Sequence, residues 1–312
     1  MAIALFGGQG AQHVGMGKDF CTHFSLAREM FEEASEVLKI NMQTLLWEDN
    51  DQLNQSPYTQ SALFLVSMVA FRVFIAESGS SPISVGLGHS LGEISANAAS
   101  GALSLEKGLK LVFERGRLME RVCAQSPKEL GMLAVLGASK ETILDFCAHS
   151  RSQGRVLYAA NFNGSQVVLA GVKQDLSALQ AKDLGAKKLV LLPMSVVSHC
   201  EILVPMLEDF SALLATSLED SYHFSVVSNA NALLYNSKEE ALKCLSVQLI
   251  QPVLYDACLQ LCESSASYYL EFGTSVLKNL NKRLSSKPTL SITDSASLQE
   301  SLEFLARTKE SK

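Results

Sequence analysis

Apolar and polar positions along the 312 residues alternate between short β-rich runs and helical periods, the pattern of an α/β protein. Ala2–Phe6 reads as a buried strand closing on glycines, and residues 83–87 as a second, β-branched one. Helical spacing covers 20–38 and 60–77, the latter keeping one apolar face through Leu63, Val66, Val69, Ala70 and Val73. Helices over 93–100 and 105–122 follow, the second opened by Ser104 as N-cap. The texture then changes. Strands are expected at 132–136, 156–160, 166–170 and 188–192, with helices at 139–149 and 176–184 and a hairpin at Asn163-Gly164. That β-α-β-β-α-β order is ferredoxin-like. It predicts a small domain, 129–193, inserted into a larger discontinuous one, 1–128 and 194–312. Helices return at 199–216 and 237–263, with strands near 225–228, 268–272 and 290–292, and Ser297 to Glu300 reads as a capping box.

Composition narrows the classes. With 47% hydrophobic and 19% charged residues the chain is neither disordered nor solvating. A net charge of -6 with no basic block argues against nucleic acid and against an anionic membrane surface. The first residues lack the basic region of a signal peptide, and the most apolar window, 63–76, carries Ser67 and Arg72 and falls short of a span. Seven cysteines form no CxxC pair, so the expectation is a reduced, cytoplasmic, metal-free chain. No heptad or apolar stripe argues against a monomer.

Gly88-His89-Ser90-Leu91-Gly92 follows a strand and precedes a helix, the context a nucleophile elbow needs. A bare G-x-S-x-G is weak, and a glycine turn with a bystander serine is the bland alternative. In the elbow reading the Leu91 N–H, at the helix start, points at an oxyanion. Ser90 then needs a base. His199 follows a strand, Pro193 and a loop, a placement that suits a base or a structural histidine equally. His89 shapes the elbow loop, and Cys200 reads as a small apolar filler. The cluster Gly7-Gly8-Gln9-Gly10 fails the dinucleotide fingerprint but can lay a backbone N–H against a substrate oxygen. Arg115, mid-helix, is by itself a solvated charge or a ligand.

Taken together, residues 8–12 (Gly-Gln-Gly-Ala-Gln), 88–93 (Gly-His-Ser-Leu-Gly-Glu), 114–116 (Glu-Arg-Gly), Asn161-Phe162-Asn163, 195–200 (Ser-Val-Val-Ser-His-Cys) and Gln248 before Pro252 resemble the malonyl-CoA:acyl carrier protein transacylases of fatty acid synthesis. The resemblance runs in order along the chain and thins after about residue 285. It implies an α/β-hydrolase-like large domain and a ping-pong acyl transfer from malonyl-CoA to the pantetheine thiol of acyl carrier protein. The implied roles are Ser90 as nucleophile, His199 as base, the Gln248 carbonyl orienting His199, and Gln9 with Leu91 as oxyanion hole. Arg115 would hold the malonyl carboxylate, with Asn161 and Asn163 lining the cleft beside His89. No cofactor is implied beyond the coenzyme A thioester itself.

Two positions depart from the family. Its proline before Gly-Gln-Gly is replaced at Gly7 or Gly8, a flexibility expected to loosen Gln9. Its glycine-proline-glycine turn is Gly273-Thr274-Ser275, expected to lie away from the chemistry. Ser198 before His199 leaves a polyketide-type acyltransferase with another acyl group as one alternative. A serine hydrolase or thioesterase is the other, although that fold expects an acid partner and a late histidine, and none follows His223. An acidic carrier would need a local basic patch, for which Lys187, Lys188, Lys278, Lys282 and Arg283 are candidates.

Overall fold

The computed structural model describes residues 1–194 and 196–310, so Ser195 of the 195–200 motif and the last two residues of the polar tail lie outside the described residues. The strands are, in chain order, β1 (Ala2–Phe6), β2 (Ile83–Gly88), β3 (Leu130–Leu136), β4 (Leu157–Asn163), β5 (Gln166–Val172), β6 (Lys188–Leu191), β7 (Ser225–Val227), β8 (Leu234–Tyr235), β9 (Val253–Leu254), β10 (Tyr268–Phe272) and β11 (Thr289–Ile292). They form a six-stranded sheet, β11-β10-β1-β2-β7-β8, and a five-stranded sheet, β6-β3-β5-β4-β9.

The first sheet is parallel except for the β7–β8 pair. Its central strands are apolar on both faces because helices cover both. Ala2, Ala4 and Phe6 enter one core, while Ile3 and Leu5 enter another, as the two-residue period requires. Phe6 stacks on Phe272 at 5.7 Å, and Phe71 meets Phe272 edge-on at 5.3 Å. That aromatic cluster props up the C-terminal ends of β1 and β10, where the functional loops emerge.

The helix Ser56–Ser78 is buried around nearly its whole circumference rather than on the one face its spacing suggested. It packs against the helices Ser25–Leu38, Leu91–Ser100 and Leu105–Ala124 and against β10 at once, and only Arg72, Ala76 and Glu77 near its end are exposed. It is long and apolar enough to cross a membrane by length and composition, correcting the expectation that it falls short, but 83% of that stretch is buried inside the fold. Chain breaks account for the other differences. The 20–38 helix divides at Phe24, whose backbone is extended (φ -125, ψ 128), into Lys18–His23 and Ser25–Leu38. The segment after His199 begins as a 3-10 turn, Glu201–Met206, containing Pro205, before the helix Leu207–Ser217. The 237–263 helix is interrupted by Pro252 and β9 into Lys238–Gln248 and Tyr255–Glu263. The 176–184 segment is a short helix, Lys173–Ala178, and a 3-10 turn. Asp294, not Ser297, caps the last helix: its Oδ1 accepts from the Ser297 N–H at 2.8 Å.

In the second sheet β3, β4, β5 and β6 pair antiparallel in the order β6-β3-β5-β4. β9, which comes from far along the chain, adds to this sheet parallel to β4, pairing Val253 with Asn161. The residue run 129–193 therefore does not complete its own sheet. A register shift in β4 between Ala159 and Asn161 puts Asn161 and Asn163 on one face and Phe162 into the small core.

Candidate active site

The site is built on loops at the C-terminal ends of β1, β2, β7 and β10, the usual crevice of a parallel sheet. β2 ends at Gly88 and the helix Leu91–Ser100 begins immediately after Ser90, whose φ of 56 and ψ of -108 mark a strained elbow. A Cβ on Gly88 would stand 1.8 Å from the carbonyl carbon of Gly92, and one on Gly92 would stand 1.9 Å from the Phe6 oxygen. Only glycine fits either place. Asn229, just past β7, fastens the turn: its Oδ1 accepts from the Ser90 N–H at 2.7 Å and its Nδ2 donates to the Gly88 carbonyl at 2.7 Å.

Ser90 Oγ donates to His199 Nε2 at 2.7 Å. His199 Nδ1 lies 2.8 Å from the Gln248 carbonyl. A carbonyl only accepts, so Nδ1 carries the proton and Nε2 is free to take one. His199 is buried in a left-handed backbone conformation (φ 59). Burial, and then the Arg115 charge, push its pKa down to about 3, so it is neutral at rest.

Arg115 is 2% exposed, far from the solvated helix charge that was one reading of it. Gly116 makes this possible. A Cβ there would meet the Pro57 backbone at 2.5 Å, so its absence lets the helix Leu105–Ala124 lie against the start of Ser56–Ser78. Arg115 Nη1 then donates to Gln60 Oε1 at 2.7 Å, and Nη2 to Ser90 Oγ at 3.2 Å and Gln248 Oε1 at 3.4 Å. Its buried Nε has no partner among the described residues. Burial lowers its pKa to about 10, which leaves it a cation at neutral pH.

Behind this surface lies a buried carboxylate. Glu93 accepts from the Asn229 N–H (3.0 Å), Gln248 Nε2 (2.8 Å) and the Tyr235 hydroxyl (3.0 Å). Desolvation raises its pKa to about 7 against the pull of those bonds. Gln248 Nε2 also donates to the Ser90 carbonyl at 2.9 Å, so one side chain ties the elbow, Glu93 and Arg115 together.

A cleft of about 530 Å³ opens in front, lined by Gln9, His89, Ser90, Arg115, Asn161 and His199 among others. Leu91 is the first helical residue, so its N–H has no acceptor within the helix. The Gln9 side chain donates to Ser56 Oγ at 3.2 Å. His89 Nε2 stands 3.1 Å from Asn163 Oδ1, so Asn163 props His89 from behind instead of lining the cleft as expected. Asn161 does line it, with a buried Oδ1 that has no partner among the described residues. Cys200 is a buried filler whose thiol is pushed up to about 12.

The two sequence departures meet in space. A Cβ on Gly7 would stand 2.4 Å from Thr274 Oγ1, which is fixed by a 2.6 Å bond to the buried Glu271. A Cβ on Gly8 would reach the His89 carbonyl at 2.6 Å. Both glycines serve close approach and neither has a positive φ, so the loop is packed and not loosened. The 273–275 turn touches that loop and is not remote from the site.

Residues 4–240 match the acyl transferase domain family. The malonyl CoA-acyl carrier protein transacylase of Haemophilus influenzae is 32% identical over 96% of this chain and 98% of its own. The chain belongs to the malonyl-CoA:acyl carrier protein transacylase family. A solved transacylase of that name from Helicobacter pylori is 46% identical and superposes with a TM-score of 0.93 over 98% of both chains. The superposition carries the likeness past the point where the motifs thin. Another transacylase, solved in complex with a type II polyketide acyl carrier protein, is 32% identical, with a TM-score of 0.90 over 97% of this chain and 99% of that one.

Within this transacylase fold, Ser90, His199, Gln248 and Arg115 come together as the sequence implied. The sequence reading missed Glu93, Asn229, Gln60 and the side chain of Gln248. Glu93 stands inside the quoted 88–93 motif, and its acidic charge in an otherwise uncharged run was the available signal. Asn229 and Gln60 sit in runs with no chemical punctuation, and only the fold brings them near.

Proposed function

We propose that this chain moves a malonyl group from coenzyme A to the pantetheine thiol of acyl carrier protein through an ester on Ser90, in fatty acid biosynthesis. The observation that carries this is the position of Ser90 Oγ, 2.7 Å from a neutral imidazole nitrogen and 3.2 Å from a buried guanidinium. Ser90 Oγ attacks the thioester carbonyl as His199 Nε2 takes its proton. The oxyanion is held by the backbone N–H groups of Leu91 and Gln9. Collapse expels the coenzyme A thiolate, which recovers the proton from His199, and the carrier thiol repeats the sequence on the ester. No cofactor takes part in this reading.

Arg115 meets the malonyl carboxylate, which would be costly to bury unpaired. Acetyl leaves the guanidinium without a counter-ion and is disfavoured. The open Oδ1 of Asn161 is available to a donor on the pantetheine arm. A hydrolase reading wants an acid behind the histidine, whereas the group there is the Gln248 carbonyl.

The proposed division is a large α/β-hydrolase-like domain, 1–128 and 194–312, and a ferredoxin-like unit, 129–193. The β6-β3-β5-β4 order and a separate small core support it, with β9 as a strand lent by the larger part. The exposed Lys282 and Arg283 follow the helix Val276–Asn281, whose Val276 lines the cleft, and suit an acidic carrier. Both thioesters are soluble, which fits a cytoplasmic enzyme.

The test is incubation with labelled malonyl-CoA, identification of the labelled peptide, and a chase with carrier protein or water. Label on Ser90 that moves to the carrier is expected, and loss to water at the same rate would point to a hydrolase. Arg115→Ala should lose malonyl transfer by about 10–100-fold while sparing acetyl transfer. Equal loss of both removes the carboxylate role.

A further inference from the structure

Arg115 is a buried cation whose hydrogen-bond acceptors, Gln60 Oε1, Ser90 Oγ and Gln248 Oε1, are all neutral. One of its N–H groups has no partner among the described residues. Glu93, the buried acid of the same assembly, is coupled to Arg115 by charge but bonded to it only through the Gln248 side chain, and with a pKa raised to about 7 it is only partly ionised at neutral pH. The groups that face His199 are Arg115 from one helix, His89 from the elbow, and the backbone around Gln248 and Gln251. None of them is an anion. Taking the Ser90 proton therefore creates a second cation beside one that is already buried and has no direct ion-pair partner.

We propose that the free carboxylate of the acyl substrate, by pairing with Arg115, is what enables His199 to accept the Ser90 proton. The proposal rests on the acyl-transfer reading and deepens it: the substrate brings the counter-ion that the base lacks. As Ser90 Oγ bonds to the thioester carbonyl carbon, its proton passes to His199 Nε2 and the carbonyl electron pair becomes the oxyanion. The carbon–sulfur bond then breaks and the thiolate leaves as a thiol with that proton. With a carboxylate on Arg115 the guanidinium has a direct counter-ion, and the proton on His199 is opposed by the oxyanion with no unpaired cation beside it. With an acetyl group Arg115 keeps no direct ion-pair partner. The carboxylate stays on the acyl group after coenzyme A departs, so the base remains enabled for the carrier thiol. In the empty site it is not.

Because the carboxylate acts through space, it need not be bonded to the acyl group. The cleft of about 530 Å³ has room for an acetyl thioester tip and a separate formate. The experiment measures acylation of Ser90 in the wild-type chain by intact mass, with acetyl-CoA or malonyl-CoA, in sodium formate against sodium chloride at equal ionic strength. Formate should speed acetylation about tenfold, the effect of roughly one unit in the basicity of His199. It should slow malonylation competitively, because both carboxylates seek Arg115. Arg115→Gln should acetylate at a rate indifferent to formate. If that variant does not fold, the opposite responses of the two wild-type rates decide the matter. Formate that does no more than chloride to acetylation, while malonyl-CoA still acylates Ser90, overturns the proposal and leaves the acyl-transfer reading standing. Failure of malonyl-CoA to acylate Ser90 removes both.

Discussion

Glu93 offers a sharp test of how the elbow is held, because its charge should lower stability in a pH window that can be calculated. The carboxylate is fully buried, and its pKa is raised from 4.5 to about 7, chiefly by desolvation. An unfolded Glu93 ionises near 4.5, so between there and about 7 the unfolded chain holds fewer protons than the native one. Stability from this group is then complete below 4.5 and is lost as pH rises through 7. Across the window the loss is about 3 kcal/mol. Glu93→Gln abolishes the titration while keeping an acceptor for Asn229 and Gln248. The stability of Glu93→Gln relative to wild type should therefore climb by about 3 kcal/mol between pH 4.5 and 7 and stay level above. The difference between the two proteins is the quantity to read, because His199, lowered to about 3, titrates nearby with the opposite sign. Urea unfolding followed by the single tryptophan, Trp47, packed at 5.5 Å from Phe31, gives the curves. A difference that does not change with pH refutes the argument. Glu93→Ala, by contrast, strands three buried donors and should cost roughly 3–5 kcal/mol at any pH.

Two further substitutions probe the same scaffold. Asn229→Ala removes the acceptor for the Ser90 N–H and the donor to Gly88, so malonyl-Ser90 formation should slow about 100-fold with little change in KM. A matching rise in KM instead would place Asn229 in substrate binding. Gly7→Ala should destabilise by about 1–3 kcal/mol against Thr274, and Thr274→Gly should relieve most of that in the double variant. Strict additivity in chemical denaturation would show that the two positions are not coupled.

The elements that positioned the chemistry were legible because their signals are local. β1, the elbow and the helix cap at Ser104 each depend on a few neighbouring residues, and the structure has them where the pattern put them. The helix Ser56–Ser78 was legible as a helix but not as a central one, since its periodicity cannot say how many partners surround it. The long helices expected at 199–216 and 237–263 failed at Pro205 and Pro252, where a missing N–H outweighed the apolar spacing. The site divides the same way. Ser90 is marked by its strand–glycine–helix context and His199 by the family motif around it, whereas Asn229 acts through an amide indistinguishable in sequence from any surface asparagine. Gln248 was assigned for its carbonyl, which any residue would supply. Its side-chain bridge to Glu93 and Arg115 is what asks for glutamine there.

That bridge bears on why transfer should prevail over hydrolysis. The buried carboxylate of Glu93 is spent on the Asn229 N–H, the Tyr235 hydroxyl and Gln248, and His199 is left with a neutral carbonyl. An imidazolium stabilised so weakly is a poor partner for deprotonating water. A thiol of pKa about 8.5 needs far less help. The same arrangement that keeps His199 neutral at rest thus makes the ester wait for a thiol. Isolated malonyl-enzyme should persist in buffer far longer than it survives addition of carrier protein. If native malonyl-enzyme hydrolyses as fast as it transfers, the carbonyl is not the discriminating feature, and selectivity must come from exclusion of water by the cleft.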